Sequence, residues 1–173
     1  MMNKPLLLAF LPLLLAGCAQ LNPPDPTATG LLSPTTGNRV TGDVHFVQRK
    51  HNVEVVGEIK GLKPGAEHGF HIHEKGDCSS GDGMSAGGHF NPDGMPHGNY
   101  EGVVHHNGDL PSLRADNNGV AKFSFDSKVL QVGSGPSNVI GRALIVHRDP
   151  DDFTTQPTGN SGPRLACGVI TAG

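Results

Sequence analysis

Apolar and polar residues alternate one by one in short runs along this chain, and no segment carries a long 3.6-residue period. A period of two puts successive side chains on opposite faces of an extended strand. Arg39 to Gln48 and Asn52 to Ile59 alternate around valines, which predicts a hairpin turning at Arg49 to His51. Glu67 to His73 alternates around Phe70 and Ile72. Gly119 to Phe125 follows Asp116-Asn117-Asn118-Gly119, where Asp and Asn side chains can bond the local backbone and Gly can turn it. Val139 to His147 and Leu165 to Thr171 are apolar enough for buried strands. The 25 glycines and 14 prolines punctuate all of this, so the predicted class is all-β, a sandwich or barrel. Between Lys75 and Leu113 the alternation disappears, and a loop that long needs its own source of order.

The first 37 residues read differently. Lys4 followed by the apolar stretch Leu6 to Leu15 has the form of a signal peptide over residues 1–17, too short to span a bilayer comfortably and interrupted by Pro12. Leu15-Ala16-Gly17-Cys18 resembles a bacterial lipobox, which implies cleavage before Cys18 and a lipid on that cysteine; an ordinary secretory peptide cut nearby is the plainer reading. Residues 18–37 are rich in Pro, Thr and Gly. Asn22-Pro23-Pro24-Asp25-Pro26 cannot be helical, and the stretch is expected to act as a flexible tether to a membrane. One domain over 38–173 remains. With Cys18 set aside, Cys78 and Cys167 form an even pair. An oxidising compartment would let them form a disulfide, and two free buried thiols are the alternative. The formal net charge of −3, the absence of a basic patch and the sparse aromatics argue against a nucleic-acid partner.

Ten histidines against one tyrosine change the picture. His71 and His73 are two apart, so on a strand both point to one face while Phe70 and Ile72 point to the other. His68, an odd step away, is expected to be packed or hydrogen-bonded rather than a ligand. His89, His97, His106 and Asp109 lie in the loop, and His147 ends an apolar run. Neutral imidazoles suit copper and zinc, and a lone carboxylate among imidazoles suits zinc better than copper. A crosslinking ion would also order a loop that buries little apolar surface. His105 competes with His106; the three-residue step to Asp109 favours His106, although spacing alone is weak. His45 and His51 read as surface residues and Glu74 as a solvated or ion-paired acid.

Five motifs in order carry a family resemblance: Gly69-Phe70-His71-Ile72-His73-Glu74, Gly88-His89-Phe90-Asn91-Pro92, Gly108-Asp109-Leu110, Gly141-Arg142-Ala143-Leu144-Ile145-Val146-His147, and Gly162-Pro163-Arg164-Leu165-Ala166-Cys167-Gly168-Val169-Ile170. Together they resemble copper–zinc superoxide dismutase from about Val40 to the C-terminus. The resemblance implies an eight-stranded Greek-key β-barrel with long metal-binding loops. It implies copper ligands His71, His73, His89 and His147, and zinc ligands His89, His97, His106 and Asp109, with His89 bridging. It also implies that Arg164 orients the anion, that Asp151 links His71 with His97 behind the metals, and that Cys78 and Cys167 form the intrasubunit disulfide.

The implied reaction is disproportionation of superoxide to dioxygen and hydrogen peroxide, with copper alternating between two oxidation states and zinc holding loop and bridge. The expected setting is a bacterial periplasm or cell envelope, with the protein anchored through Cys18. A copper and zinc binding or storage protein is the alternative, as is a relative that has lost copper. Arg164 argues against storage and the complete histidine set argues against copper loss. Lys75 is a candidate for steering the substrate. Thr27 to Thr36 matches the family's first strand weakly. Dimer contacts vary in the family, so a homodimer is left open.

Overall fold

The computed structural model describes residues 24–173; the expected signal peptide, Cys18 and the start of the tether lie outside them. Nine strands run in the order β1 (Thr27–Pro34), β2 (Thr41–Gln48), β3 (Val53–Lys60), β4 (Glu67–His68), β5 (Phe70–His73), β6 (Leu113–Arg114), β7 (Ala121–Ser127), β8 (Ala143–His147) and β9 (Arg164–Ala172), with one 3-10 turn at Met84–Ala86. Seven form one antiparallel sheet in the order β5-β8-β9-β1-β2-β3-β7. The chain leaves the β1-β2-β3 meander at one edge and re-enters at the other, returns to pair β7 with β3, then goes back to lay β8 and β9 beside β5 and β1. Those crossings are Greek-key connections. The separate ladder of β4 with β6 joins the chain entering β5 to the chain leading into β7, so it draws the two edge strands together and curls the sheet. β4 and β5 are one run interrupted at Gly69, which gives the eight strands of the expected barrel.

The alternation read from sequence is realised in the packing. Phe46, Ile59, Phe70, Ile72, Leu144 and Ile170 are fully buried in one core, and Phe70 meets Phe123 with ring centroids 5.4 Å apart. Every residue of β8 is buried, because its second face is covered as well. Ala143 and Ile145 pack outside the sheet with Ala86 and Cys167, beneath the segment tied down by the Cys78–Cys167 disulfide. A strand covered on both sides explains why Ala143–His147 reads as continuous apolar sequence. The hairpin is where expected, with the Arg49 amide bonding to the Asn52 carbonyl at 2.8 Å. At the predicted turn, Asp116 accepts from the Asn118 and Val120 amides, and Gly119 takes a φ of +74°.

The tether does not extend to residue 37. β1 begins at Thr27 and occupies the middle of the sheet, between β9 and β2. Ala28, Gly30 and Leu32 face inward while Thr27, Leu31 and Ser33 face out, a period of two that proline and threonine density obscures. The chain that follows is structural too. The buried Thr35 hydroxyl donates to the Arg164 carbonyl at 2.7 Å, and Asn38 donates to Thr35 Oγ1 at 2.8 Å.

Candidate metal centre

β5 turns His71 and His73 away from the core that holds Phe70 and Ile72. Single antiparallel bridges bring the long loop onto this strand, pairing His71 with Asp109 and His73 with His89. Three backbone bonds of 2.8 Å lace the contact: Ile72 N to Gly108 O, Phe90 N to Ile72 O, and Gly108 N to Phe90 O. The approach requires glycine at 108, since a Cβ there would lie 2.2 Å from the Ile72 carbonyl oxygen.

Two buried clusters result, one of His71, His73, His89 and His147, the other of His89, His97, His106 and Asp109. Within each, the possible ligand atoms lie within 4.8 Å of one another, and His89 belongs to both. The outer ring nitrogens are fixed by the protein. His73 Nδ1 donates to Gly87 O at 2.9 Å and His147 Nδ1 to Gly162 O at 3.1 Å. Asp151 accepts from His71 Nε2 at 2.7 Å and from His97 Nε2 at 2.9 Å, joining a histidine of each cluster. Gly159 makes room for this link; a Cβ there would meet Asp151 Oδ1 at 1.8 Å. Of the adjacent pair, His106 is the one in the cluster, while His105 points its Nδ1 to the His106 carbonyl. His68 is buried and donates from Nδ1 to the His147 carbonyl at 2.9 Å, as expected of a packed histidine.

On the all-histidine side the inward-facing nitrogens lack partners or face one another, while on the other side His89 Nδ1 and His97 Nδ1 meet Asp109 Oδ1 at 2.8 and 3.0 Å. His71 Nδ1 and His89 Nε2 are buried without a hydrogen bond. His147 Nε2 lies 3.4 Å from His73 Nε2, and His106 Nδ1 lies 3.4 Å from His89 Nδ1. Burial pushes the His89 pKa down to about 4 and that of His147 to about 3, and it also lowers His73 well below the usual histidine range. These rings are therefore neutral near pH 7, and converging bare imidazole nitrogens fit a metal ion. Burial acts to lower the His97 pKa as well. Hydrogen bonds to Asp109 and Asp151 outweigh it and push the value up to about 9, so in metal-free protein a proton sits where a cation fits. Asp109 is held well below the ordinary carboxylate range, burial being outweighed by His106, His89 and His97.

Arg164 opens β9 beside the first cluster, next to an open cleft of about 500 Å³ that also exposes His73, His89 and His147. Its guanidinium donates to Gly83 O and Gly87 O, each at 2.7 Å. The Gly87 carbonyl accepts from both His73 and Arg164, and the segment carrying it is held by the disulfide. Burial lowers the Arg164 pKa and nearby Asp82 opposes the shift. Among the described residues lining the cleft, Arg164 is the one permanent cation; Lys75 is exposed and lies outside the lining. Sequence reading missed Thr35 and Gln156. Gln156 bonds both backbone groups of His97 and sits in a polar loop without distinctive pattern.

The model of the family "Copper/zinc superoxide dismutase (SODC)" matches residues 40–170. The chain belongs to this family. It is accordingly a superoxide dismutase that uses copper and zinc. Among curated relatives, "Superoxide dismutase [Cu-Zn]" of Paramecium bursaria Chlorella virus 1 is 44% identical over 137 residues, covering 76% of this chain and 72% of the relative. "Extracellular superoxide dismutase [Cu-Zn]" of Brugia pahangi is 41% identical over 153 residues, covering 83% and 75%. "Superoxide dismutase [Cu-Zn]" of Onchocerca volvulus is 39% identical over 157 residues, covering 84% and 98%. Among solved structures, the clock protein EA4 superposes with a TM-score of 0.77 at 39% identity, covering 87% of this chain and 96% of that one.

Proposed function

We propose a division of labour within this dismutase. His71, His73, His89 and His147 hold copper; His89, His97, His106 and Asp109 hold zinc; Asp151 fixes the rings of His71 and His97 from behind. The observation that carries this reading is the shared ring of His89, which offers Nδ1 to one cluster and an unpartnered buried Nε2 to the other. An all-imidazole set beside an open cleft suits a redox copper, and the set containing a carboxylate suits zinc.

Two superoxide anions and two protons become one dioxygen and one hydrogen peroxide. Copper, when bound, supplies the one-electron chemistry by alternating between Cu(II) and Cu(I). The chain's own residues do the rest. Arg164 presents a guanidinium whose position is set by two carbonyls, so an anion entering the cleft meets a fixed donor fork and a permanent charge. That local charge matters because the chain as a whole is negative. His89 is the group able to hold a proton at Nε2 and give it to the reduced oxygen species. Asp151 and the Gly87 and Gly162 carbonyls keep the other rings in one tautomer.

Single substitutions separate the two sites. His147→Ala should lose copper and keep zinc, His106→Ala should lose zinc and keep copper, and His89→Ala should weaken both, read by metal analysis after dialysis. Loss of the wrong metal from either of the first two would overturn the division.

The disulfide and an extracellular relative support export. The finer reading is a lipoprotein of the bacterial periplasm, cut before Cys18 and held to a membrane by its lipid. Changing Cys18 to Ser should then move the protein from the membrane to the soluble fraction. Unchanged fractionation would exclude the anchor.

A further inference from the structure

We propose that Gln156 is a positioning residue for the zinc-side cluster, clamping the peptide of His97 and so setting how fast zinc leaves. The inference rests on the reading that zinc occupies the His89, His97, His106 and Asp109 cluster.

His97 lies in a stretch of chain with little core of its own. Asn91 to Pro96 are largely exposed, and the local order there comes from Asn91, whose amide bonds both the Met95 amide and the Met95 carbonyl. The ring of His97 is fixed by Asp109 and Asp151. Its backbone is fixed by Gln156, whose Oε1 accepts from His97 N at 2.9 Å and whose Nε2 donates to His97 O at 2.8 Å. A carboxamide meeting both groups of one peptide position mimics a rung of a β-ladder, and the donor and acceptor of each bond are unambiguous.

The loop carrying Gln156 is firm enough to act as an anchor. The Asp152 carboxylate accepts from the Thr154 and Thr155 amides and from the Thr155 hydroxyl. Gly159 N closes onto Thr155 O at 2.7 Å, and Asp152 N onto Gly159 O at 3.0 Å. Among the described residues, the two Gln156 bonds are the hydrogen bonds between residues 152–160 and residues 91–110. The same segment of chain therefore grips His97 twice, at the ring through Asp151 and at the peptide through Gln156. Withdrawing His97 from the cluster by opening its stretch of chain, the route to zinc release that the clamp would slow, breaks both Gln156 bonds. Groups that hold the other ring nitrogen of a metal ligand commonly change metal affinity 10- to 100-fold, and a clamp on the ligand's backbone is expected at the lower end of that range.

The test compares the full protein, loaded with copper and zinc, as wild type, Gln156→Leu and Gln156→Glu. Zinc release into a chromogenic chelator is timed, and the visible spectrum of cobalt placed at the zinc site is recorded. Arg49→Ala, which removes exposed hairpin contacts to Asp25 and Glu54, serves as the control for loosening of the fold. Gln156→Leu should release zinc about ten-fold faster or more and alter the cobalt spectrum. Gln156→Glu keeps the acceptor for His97 N but faces the His97 carbonyl with a second oxygen, and should fall between Gln156→Leu and wild type. Arg49→Ala should release zinc at the wild-type rate. Release within two-fold of wild type in both Gln156 variants overturns the proposal while leaving the zinc reading intact. A wild type whose zinc is retained equally by His106→Ala overturns both.

Discussion

Arg164 shows how much at this site depends on one side chain's neighbours. Its backbone carbonyl is held by Thr35, and its guanidinium by the carbonyls of Gly83 and Gly87. Arg164→Lys keeps the charge but cannot donate in the same planar fork. The second-order rate with superoxide should fall by about ten-fold at low ionic strength, with copper and zinc content unchanged. His97 gives a prediction with a pH sign. Its pKa is raised from 6.5 to about 9 in the folded metal-free protein. The stabilisation it contributes is therefore fully present below about 6.5 and is lost as pH rises through about 9. The thermal stability gap between metal-free wild type and metal-free His97→Gln should be wide at pH 6 and narrow by pH 10; a constant gap would contradict the ion pairing with Asp109 and Asp151. The clustered side chains were legible at this scale because His71 and His73 sit two apart on a strand and because each motif carries its own neighbours. The choice of His106 over His105 was open on spacing; the His106 ring joins the cluster with Asp109, while His105 turns its Nδ1 to the His106 carbonyl. Gln156 was not legible, since a glutamine among threonines and prolines carries no signal until the loop folds back on His97.

The elements matter here because they bring distant sequence together. The long loop from Lys75 to Leu113 holds its place by lacing onto β5 at Gly108 and Phe90 and by the disulfide near its start. In the chain-entropy view, a crosslink closing a loop with a sequence separation of 89 residues stabilises by on the order of 4–5 kcal/mol. Gly108→Ala tests the lacing. Its Cβ would collide with the Ile72 carbonyl oxygen and crowd the Phe90 amide. It should cost about 1–3 kcal/mol in unfolding experiments and also reduce zinc retention, because Asp109 and His106 ride on the same turn. Wild-type behaviour on both counts would mean that the contact is slack. The hairpin, the Asp116 turn and the buried runs of β8 and β9 were readable from the period of two and from turn residues. β1 was not. Its three inward residues include Ala28 and Gly30, which bury little area, and the prolines and threonines around them resemble a linker. Pairing with β2 and β9 supplies what composition does not.

At the scale of the whole molecule, the curled sheet is a rigid wall on which two loops meet. One loop carries His89, His97, His106 and Asp109; the other carries Asp151 and the path to Arg164. The N-terminal strand completes the sheet and continues into Thr35 and Asn38 at the edge of the cleft, so the segment nearest the proposed anchor also frames that cleft. The central claim is that the open, all-histidine cluster beside Arg164 is where superoxide reacts and that the neighbouring cluster supports it. Stopped-flow superoxide decay tests this most directly, comparing protein loaded with copper and zinc against protein loaded with zinc alone. Rapid decay that requires copper, and that His147→Ala abolishes while its zinc content is retained, is the predicted result. Copper bound at that cluster without acceleration, or equal decay by the zinc-only form, would contradict the claim.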